Sequence, residues 1–318
     1  MTGNPLQFQS GKSIASRLGG HVLALDVSRA LDDLMMDWPQ GDTAAQIGAT
    51  MAGPLEVQKG ERFAISRRVA VMPVRGVLTP DSVALERYLG WANYQGVEAS
   101  CAELAANEDV AACVIDMNSP GGLVLGLEGA AQAIAVLAAQ KPVHVLVNPM
   151  AASAAYYLAS QASDITMTAG SSLGSIGTTR MSVWPVKPDA WGDQWGVHLS
   201  SHARAKNPDP TSEDGQAEIQ RSLDEAEAAF LDAVARGRNL DRAGLPARLS
   251  VTDNKTDGGA MYAPADAINR GLADRQETRA GFYDRVFAGV APAQGGSSRA
   301  MARTARAQAD IAAALSKT

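Results

Sequence analysis

Cysteine is scarce: Cys101 and Cys113 are the only two in 318 residues. That rules out a disulfide framework and points to a reducing compartment. Both sit among apolar neighbours, so they are expected to be small core residues. Long hydrophobic runs are missing too, and none nears the roughly 20 residues that span a bilayer. The opening MTGNPLQFQSGKSIASRLGG lacks the apolar stretch and small-residue cleavage site of a secretory signal. A soluble, cytoplasmic protein is the expectation. There is no basic excess: 28 Lys+Arg stand against 34 Asp+Glu, a net charge of −6, which argues against a dedicated nucleic-acid binder. Histidine occurs four times, at His21, His144, His198 and His202, without metal-ligand spacing. The glycine strings lack the lysine-serine ending of a phosphate loop. No cofactor or metal is expected.

Aromatic residues make up only 5%, while glycine contributes 30 residues and alanine is abundant. With 46% hydrophobic and 19% charged residues the composition is that of a folded protein. The length suits two domains, or one α/β domain with extensions. Small residues permit close helix–strand approach, so a layered α/β protein is predicted.

Residues 1–65 read as a helical N-terminal extension, in which HVLALDVSRALDDLMMDW carries apolar residues at helical spacing before GDTAAQIGATMAGP breaks the pattern. The compact domain is expected over residues 66–280. RVAVMPVRGVLT has the alternating, β-branched character of a strand, and YQGVEASCAELAANED follows as a helix. AACVIDMNS is a short apolar run of the kind found in buried parallel strands. LEGAAQAIAVLAAQ (helix), KPVHVLVN (strand), MAASAAYYLASQAS (turn into helix) and DITMTAGSS (strand and loop) continue the alternation. Strand–helix–strand order of this kind implies a parallel β-sheet with βαβ crossovers. EIQRSLDEAEAAFLDAVARGRNL is a long amphipathic helix ending near Gly237, and GGAMYAPADAINRGLAD reads as a turn, a short helix and a closing strand. Residues 281–318, rich in Ala, Gly, Ser and Arg, read as a flexible C-terminal tail.

Three loops could carry chemistry. SPGG, Ser119 to Gly122, closes a buried strand, and its two glycines let backbone N–H groups approach a ligand. Such groups can hold a developing oxyanion, although a Pro-Gly turn after a strand is more often only a turn. In MAASAAYY, Ser153 lies between alanines at a strand-to-helix junction, where the helix dipole favours negative charge. The plain alternative is an N-cap serine. In SSLGSIG, Ser175 lies between glycines in a tight loop, again readable as a turn. A nucleophilic serine needs a base. His144 falls mid-strand, and no Ser-His-Asp ordering emerges. Lysine is the other option once its ammonium is destabilised by burial or a neighbouring cation. Lys206 in SSHARAKNPDP and Lys187 in WPVKPDAW are the candidates.

Taken together, VIDMNSPGG, MAASAAYYLASQASDITMT, GSIG, a lysine before a long helix and YAPADAINRGLAD resemble the signal peptide peptidase A family. These are serine–lysine peptidases of the Clp protease/crotonase-like fold. The resemblance runs from about Val69 to Asp274 with the motifs in the family's order. No membrane anchor is expected, and VAVMPVRGVLTP with GWANYQGV is similar to the soluble branch of phage capsid assembly (prohead) proteases. The resemblance implies Ser153 as nucleophile, Lys206 as general base, Ser175 as the residue that holds the lysine amine, and Gly121 and Gly122 as oxyanion-hole glycines. It implies polypeptide substrates, capsid and scaffold proteins among them, a homo-oligomeric ring, action in the host cytoplasm or prohead interior, and a tail suited to scaffold attachment. One departure stands out. Some relatives place the lysine directly after a histidine, and Ala203 follows His202 here. In that register the base is missing, and the chain is a catalytically inactive capsid assembly component of the same fold. A crotonase-like acyl-CoA enzyme is the remaining alternative, although MAASAAYY carries no acidic residue near the site.

Overall fold

The apolar runs of the sequence become the centre of a sheet. In the computed structural model, which describes residues 13–18, 20–39, 50–58, 61–182 and 199–290, three neighbouring strands carry most of the core. They are β5 (Val69–Arg75), β6 (Ala112–Ser119) and β8 (Val143–Ala152), paired in parallel. The elements before them are α1 (Ile14–Leu18), β1 (Val22–Leu25), α2 (Leu31–Met35), β2 (Thr50–Ala52), β3 (Leu55–Val57) and β4 (Ala64–Ser66). Between them lie α3 (Val83–Leu89), α4 (Tyr94–Ala106), β7 (Gly121–Leu123) and α5 (Leu127–Gln140). After β8 come α6 (Ala154–Ala159), β9 (Asp164–Met167), β10 (Ser172–Gly174), β11 (Thr179–Arg180) and a 3-10 turn (Arg204–Lys206). The chain continues through α7 (Glu213–Arg238), α8 (Leu245–Leu249), β12 (Met261–Tyr262), α9 (Pro264–Asn269), β13 (Arg275–Gln276) and α10 (Arg279–Ala288).

The main sheet runs β12-β10-β8-β6-β5-β4, and β9 joins β8 along its first half, carrying β13 on its far side. All pairings are parallel except β4 with β5 and β10 with β12. Successive side chains alternate between faces, and the two faces bury different partners. Ala70, Met72, Val74, Cys113, Ile115, Val143 and Val145 meet α4 and α5 through residues such as Val97, Leu104, Ile134 and Leu137. Val69, Val71, Val114 and Leu146 face α10 and the β2–β3 hairpin through Phe282, Val286, Ala52 and Val57. The predicted mixed α/β architecture with a largely parallel sheet is what forms.

The ends of the chain differ from their sequence reading. The helical spacing of residues 21–38 is only partly realised, since Val22–Leu25 is a strand and α2 covers just Leu31–Met35. Tertiary pairing overrides periodicity: β1 finds antiparallel partners on both sides, in β7 and β11, and forms a second, three-stranded sheet. With β2, β3 and β4 also extended, the described part of the extension is mixed rather than helical. The boundary drawn at residue 281 falls inside α10. There Phe282, Tyr283 and Val286 are buried, and Thr278 caps the helix by accepting from the Gly281 amide at 3.1 Å. The SPGG segment does not simply turn: Gly121 and Gly122 open strand β7. Lys187, His198 and residues 291–318 lie outside the described residues.

One buried charge ties the second face together. Asp116 on β6 is fully buried; it accepts from the Gly53 amide at 2.9 Å, from Arg75 at 3.4 Å and from Arg279 at 3.1 Å. Hairpin, sheet and α10 thus share one carboxylate. Removing it takes away the acceptor that the Gly53 amide, Arg75 and Arg279 share, a change that costs about 3 kcal/mol. Asp116→Ala is expected to lower the urea unfolding free energy by that amount. Cys101 and Cys113 are both buried. Burial is the main cause raising each thiol, Cys101 to about 12 and Cys113 to about 11. Alkylation by iodoacetamide at pH 8 is therefore expected to be negligible in the folded chain and complete in denaturant, as read by mass spectrometry.

Candidate functional site

The parallel strands deliver their loops to one end of the sheet, and that is where Ser119, Ser153 and Ser175 converge. Strand β8 ends at Ala152, and α6 begins at Ala154 with Ser153 between them at φ 53° and ψ −119°. A positive φ is uncommon for a residue with a Cβ, and persists only where the surroundings enforce it. Here the enforcement is visible. The Ser153 amide donates to the Gly174 carbonyl at 2.7 Å, and its carbonyl accepts from the Tyr157 amide at 2.9 Å. Every residue of α6 is buried, so the helix cannot swing to relieve the turn. The hydroxyl makes no capping bond to α6, so the N-cap explanation of this serine does not hold. A sharp strand-to-helix turn of this type presents a side-chain oxygen beside a helix N-terminus.

Ser175 sits one residue beyond β10, whose register pairs Gly174 with Ala152. Its φ is 51°, and its amide donates to Ala260 at 2.8 Å. The two serines are therefore held on adjacent strand ends by a shared backbone contact. Gly121 completes the cluster. A methyl group built on it would stand 3.0 Å from the Ala154 amide nitrogen, 3.0 Å from the Ala152 carbonyl and 2.3 Å from the Ala24 carbonyl. At Gly122 it would meet the Leu78 carbonyl at 2.0 Å. No other residue fits these positions. The Gly121 amide donates to the Ser119 hydroxyl at 3.1 Å, which in turn donates to the Gly76 carbonyl at 2.7 Å.

Lys206 is placed differently. It lies at the end of the 3-10 turn with an exposed side chain. The turn closes through its own amide, which donates to Ala203 at 2.9 Å. Beside Ser175 opens a cavity of about 460 Å³, lined by Thr178, Leu223, Glu227, Leu249 and Lys255 among others. Lys255 went unnoticed in the sequence because it sits in a polar turn with no apolar pattern around it. Burial, and then the nearby charge of Asp224, raise the Glu227 carboxyl above its ordinary range. His144 is engaged elsewhere. Its Nδ1 lies 2.9 Å from Asp164, and it sits near the start of β8, at the opposite end of that strand from Ser153. Burial raises the Asp164 carboxyl, but the bond and charge of His144 with Arg275 and Arg285 outweigh it, for a net lowering. Among the described residues, no group of three or more His, Cys, Asp and Glu side chains is placed to hold a metal ion, and no helix is long and apolar enough to cross a membrane.

The turn at Ser153 makes a stability prediction independent of any activity. Glycine adopts the left-handed region freely. Ser153→Gly is expected to unfold at higher urea concentration than Ser153→Ala, by about 1 kcal/mol. Equal stability would mean that the turn carries no strain.

Comparison with known proteins bears on the same segment. Residues 135–290 match the model of peptidase family S49. The chain is 30% identical over 251 residues to the capsid assembly protease C of Escherichia phage lambda, covering 76% of this chain and 54% of that one. It is 28% identical over 215 residues to the head-tail preconnector protein GP5 of Enterobacteria phage P21, covering 67% and 41% respectively. With protease 4 of Haemophilus influenzae the identity is 26% over 221 residues, covering 67% and 33%. The chain thus spans about half or less of the length of these relatives. Among solved structures, a 1510-N membrane-bound stomatin-specific protease in complex with a substrate peptide matches at TM-score 0.36 and 16% identity, over 66% of this chain and 74% of that one. The segment that matches peptidase family S49 runs from the middle of α5 to just past α10 and carries Ser153, Ser175 and Lys206.

Proposed function

We propose that the chain is a serine endopeptidase of the Clp/crotonase-like fold that processes phage capsid and scaffold proteins, with a Ser-Lys dyad at its centre. The observation that carries this reading is the Ser153 turn, a positive-φ serine at a strand-to-helix junction with its hydroxyl uncommitted to capping. In the first step a neutral lysine amine, supplied by Lys206, takes the Ser153 proton as Oγ attacks the substrate carbonyl. Backbone N–H groups at Gly122 and Ala154 stabilise the oxyanion, a contribution of about 3 kcal/mol per donor in comparable sites, while Gly121, whose amide is given to the Ser119 hydroxyl, supplies the room for the close approach. The lysine then returns its proton to the leaving amine. Water, deprotonated by the same lysine, hydrolyses the acyl-enzyme. Ser175 orients the amine. The substrates are polypeptides, the assembly a homo-oligomeric ring, and the place of action the host cytoplasm or prohead interior.

The departure at Ala203 fits this reading. Ala203 precedes the 3-10 turn and its carbonyl accepts the Lys206 amide at 2.9 Å, so the two positions are neighbours across one turn. A lysine reaching from either position addresses the same region. A second assignment of the base rests on Lys255, whose side chain lines the cavity at Ser175.

Single substitutions separate these possibilities. Ser153→Ala is expected to abolish hydrolysis of a fluorogenic peptide and labelling by a fluorophosphonate, with circular dichroism unchanged. Lys206→Ala is expected to lower kcat at least a thousand-fold, about 4 kcal/mol of transition-state stabilisation, while Lys255→Ala stays within a few-fold of the parent. The reverse order would transfer the base to Lys255. Loss of neither activity nor labelling in Ser153→Ala would overturn the peptidase reading.

A further inference from the structure

Strand β1 occupies an unusual place. Its neighbours on either side are the strands that leave the two serine-and-glycine loops of the candidate site: β7 emerges from Ser119–Gly122, and β11 follows Ser175–Gly177. Both pairings are antiparallel, with Ala24 opposite Gly122 and Leu25 opposite Gly121 on one side and Leu23 opposite Thr179 on the other. The ladder extends past the strand, since the Asp26 amide donates to Pro120 at 2.9 Å and the Val124 amide to Val22 at 3.1 Å. Without β1, β7 and β11 would face each other across a slot one strand wide, two spacings of about 4.8 Å. Such a slot, with unpaired backbone on both walls, binds an extended peptide by main-chain hydrogen bonds.

The slot also leads to the reactive turn. The Ala24 carbonyl and the Ala154 amide crowd the same point beside Gly121, at 2.3 and 3.0 Å from where its Cβ would be. Ser153 is 1% exposed with β1 in place. Side chains hold the strand as firmly as its backbone does. Ala24 enters the main core, while Leu23 and Leu25 enter a separate cluster with Leu18, Leu34, Val77, Trp91 and Leu123. The local apolar spacing favours a helix over residues 21–38, so the extended form of Val22–Leu25 is imposed by the slot.

We propose that Val22–Leu25 is an intramolecular pseudo-substrate: β1 fills the slot that an extended peptide must enter to reach Ser153, and the chain is latent until β1 leaves. The inference rests on the peptidase reading of Ser153 for its consequence, but not for the slot itself. The ligand class is an extended peptide with a small residue at the position of Ala24 and aliphatic residues flanking it. A tethered strand competes at an effective concentration in the millimolar range, so weak substrates are excluded while β1 is docked.

The test keeps the full chain. The ladder bonds at Val22 and Asp26 make Leu23 and Leu123 a non-hydrogen-bonded pair, whose Cα atoms lie about 4.5 Å apart, within reach of a disulfide. In Leu23→Cys/Leu123→Cys, oxidation locks β1. Hydrolysis of a fluorogenic peptide containing Val-Leu-Ala-Leu is expected to fall at least ten-fold on oxidation and to return with reductant. Ala24→Asp, which puts a charge into the apolar slot, is expected to raise turnover at least ten-fold over the parent. In a Ser153→Ala background, fluorescence anisotropy of a labelled Val-Leu-Ala-Leu peptide is expected to show at least ten-fold tighter binding to Ala24→Asp than to the oxidised lock. Measurable turnover that is equal in the oxidised and reduced forms overturns the proposal, as does equal or absent binding by the locked and loosened proteins. Differential binding with no turnover in any form would uphold the slot and remove the peptidase reading. Should Ala24→Asp fail to fold, the oxidised and reduced forms of one protein still decide.

Discussion

The Ser153 amide hydrogen-bonded to the Gly174 carbonyl is the contact around which the candidate site is organised. It fixes a serine in a backbone conformation that side-chain-bearing residues avoid. It also does so across two neighbouring strands, so the loops after β8 and β10 cannot move independently. The rest of the molecule serves that constraint. Parallel strands buried on both faces bring successive loops to one end of the sheet, and an entirely buried α6 anchors the far side of the turn. Small residues keep the approach open: Ala152 and Ala154 flank the serine, and Gly121 lets β7 come close to it.

The second constraint is chain-distant. Asp116 receives donors from the hairpin, from its own sheet neighbour and from α10, which closes the face opposite α4 and α5. The Arg238–Asp274 ion pair performs a related service at the end of α7, where Asp274 also accepts the Ile165 amide at 2.7 Å. Neither cluster touches Ser153. Each stabilises the strand order that positions it.

Much of the central fold could be read directly. The runs at 69–75, 112–119 and 143–148 are apolar enough to be read as buried strands, and the helices between them carry the matching spacing; only the structure extends the third strand to Ala152. The serines at 153 and 175 and the glycines at 121 and 122 were recognisable because small residues bracket them. The lysine was harder. A lysine's role depends on what its long side chain reaches, and neither Lys206 nor Lys255 lies in a pattern that encodes reach. The tail boundary was misplaced because α10 draws its stability from Asp116 and the sheet face rather than from its own periodicity.

By itself, the sequence determined the alternation of buried strands and helices, the tight loops that end them and the small residues around Ser153, because these follow from local apolar periodicity and from glycine's freedom at positive φ. Only the tertiary structure decided that Val22–Leu25 is a strand, that it sits between β7 and β11, and that Ser153 is bent into its strained turn. Those outcomes depend on hydrogen-bond partners many residues away along the chain, supplied only once the sheet has assembled.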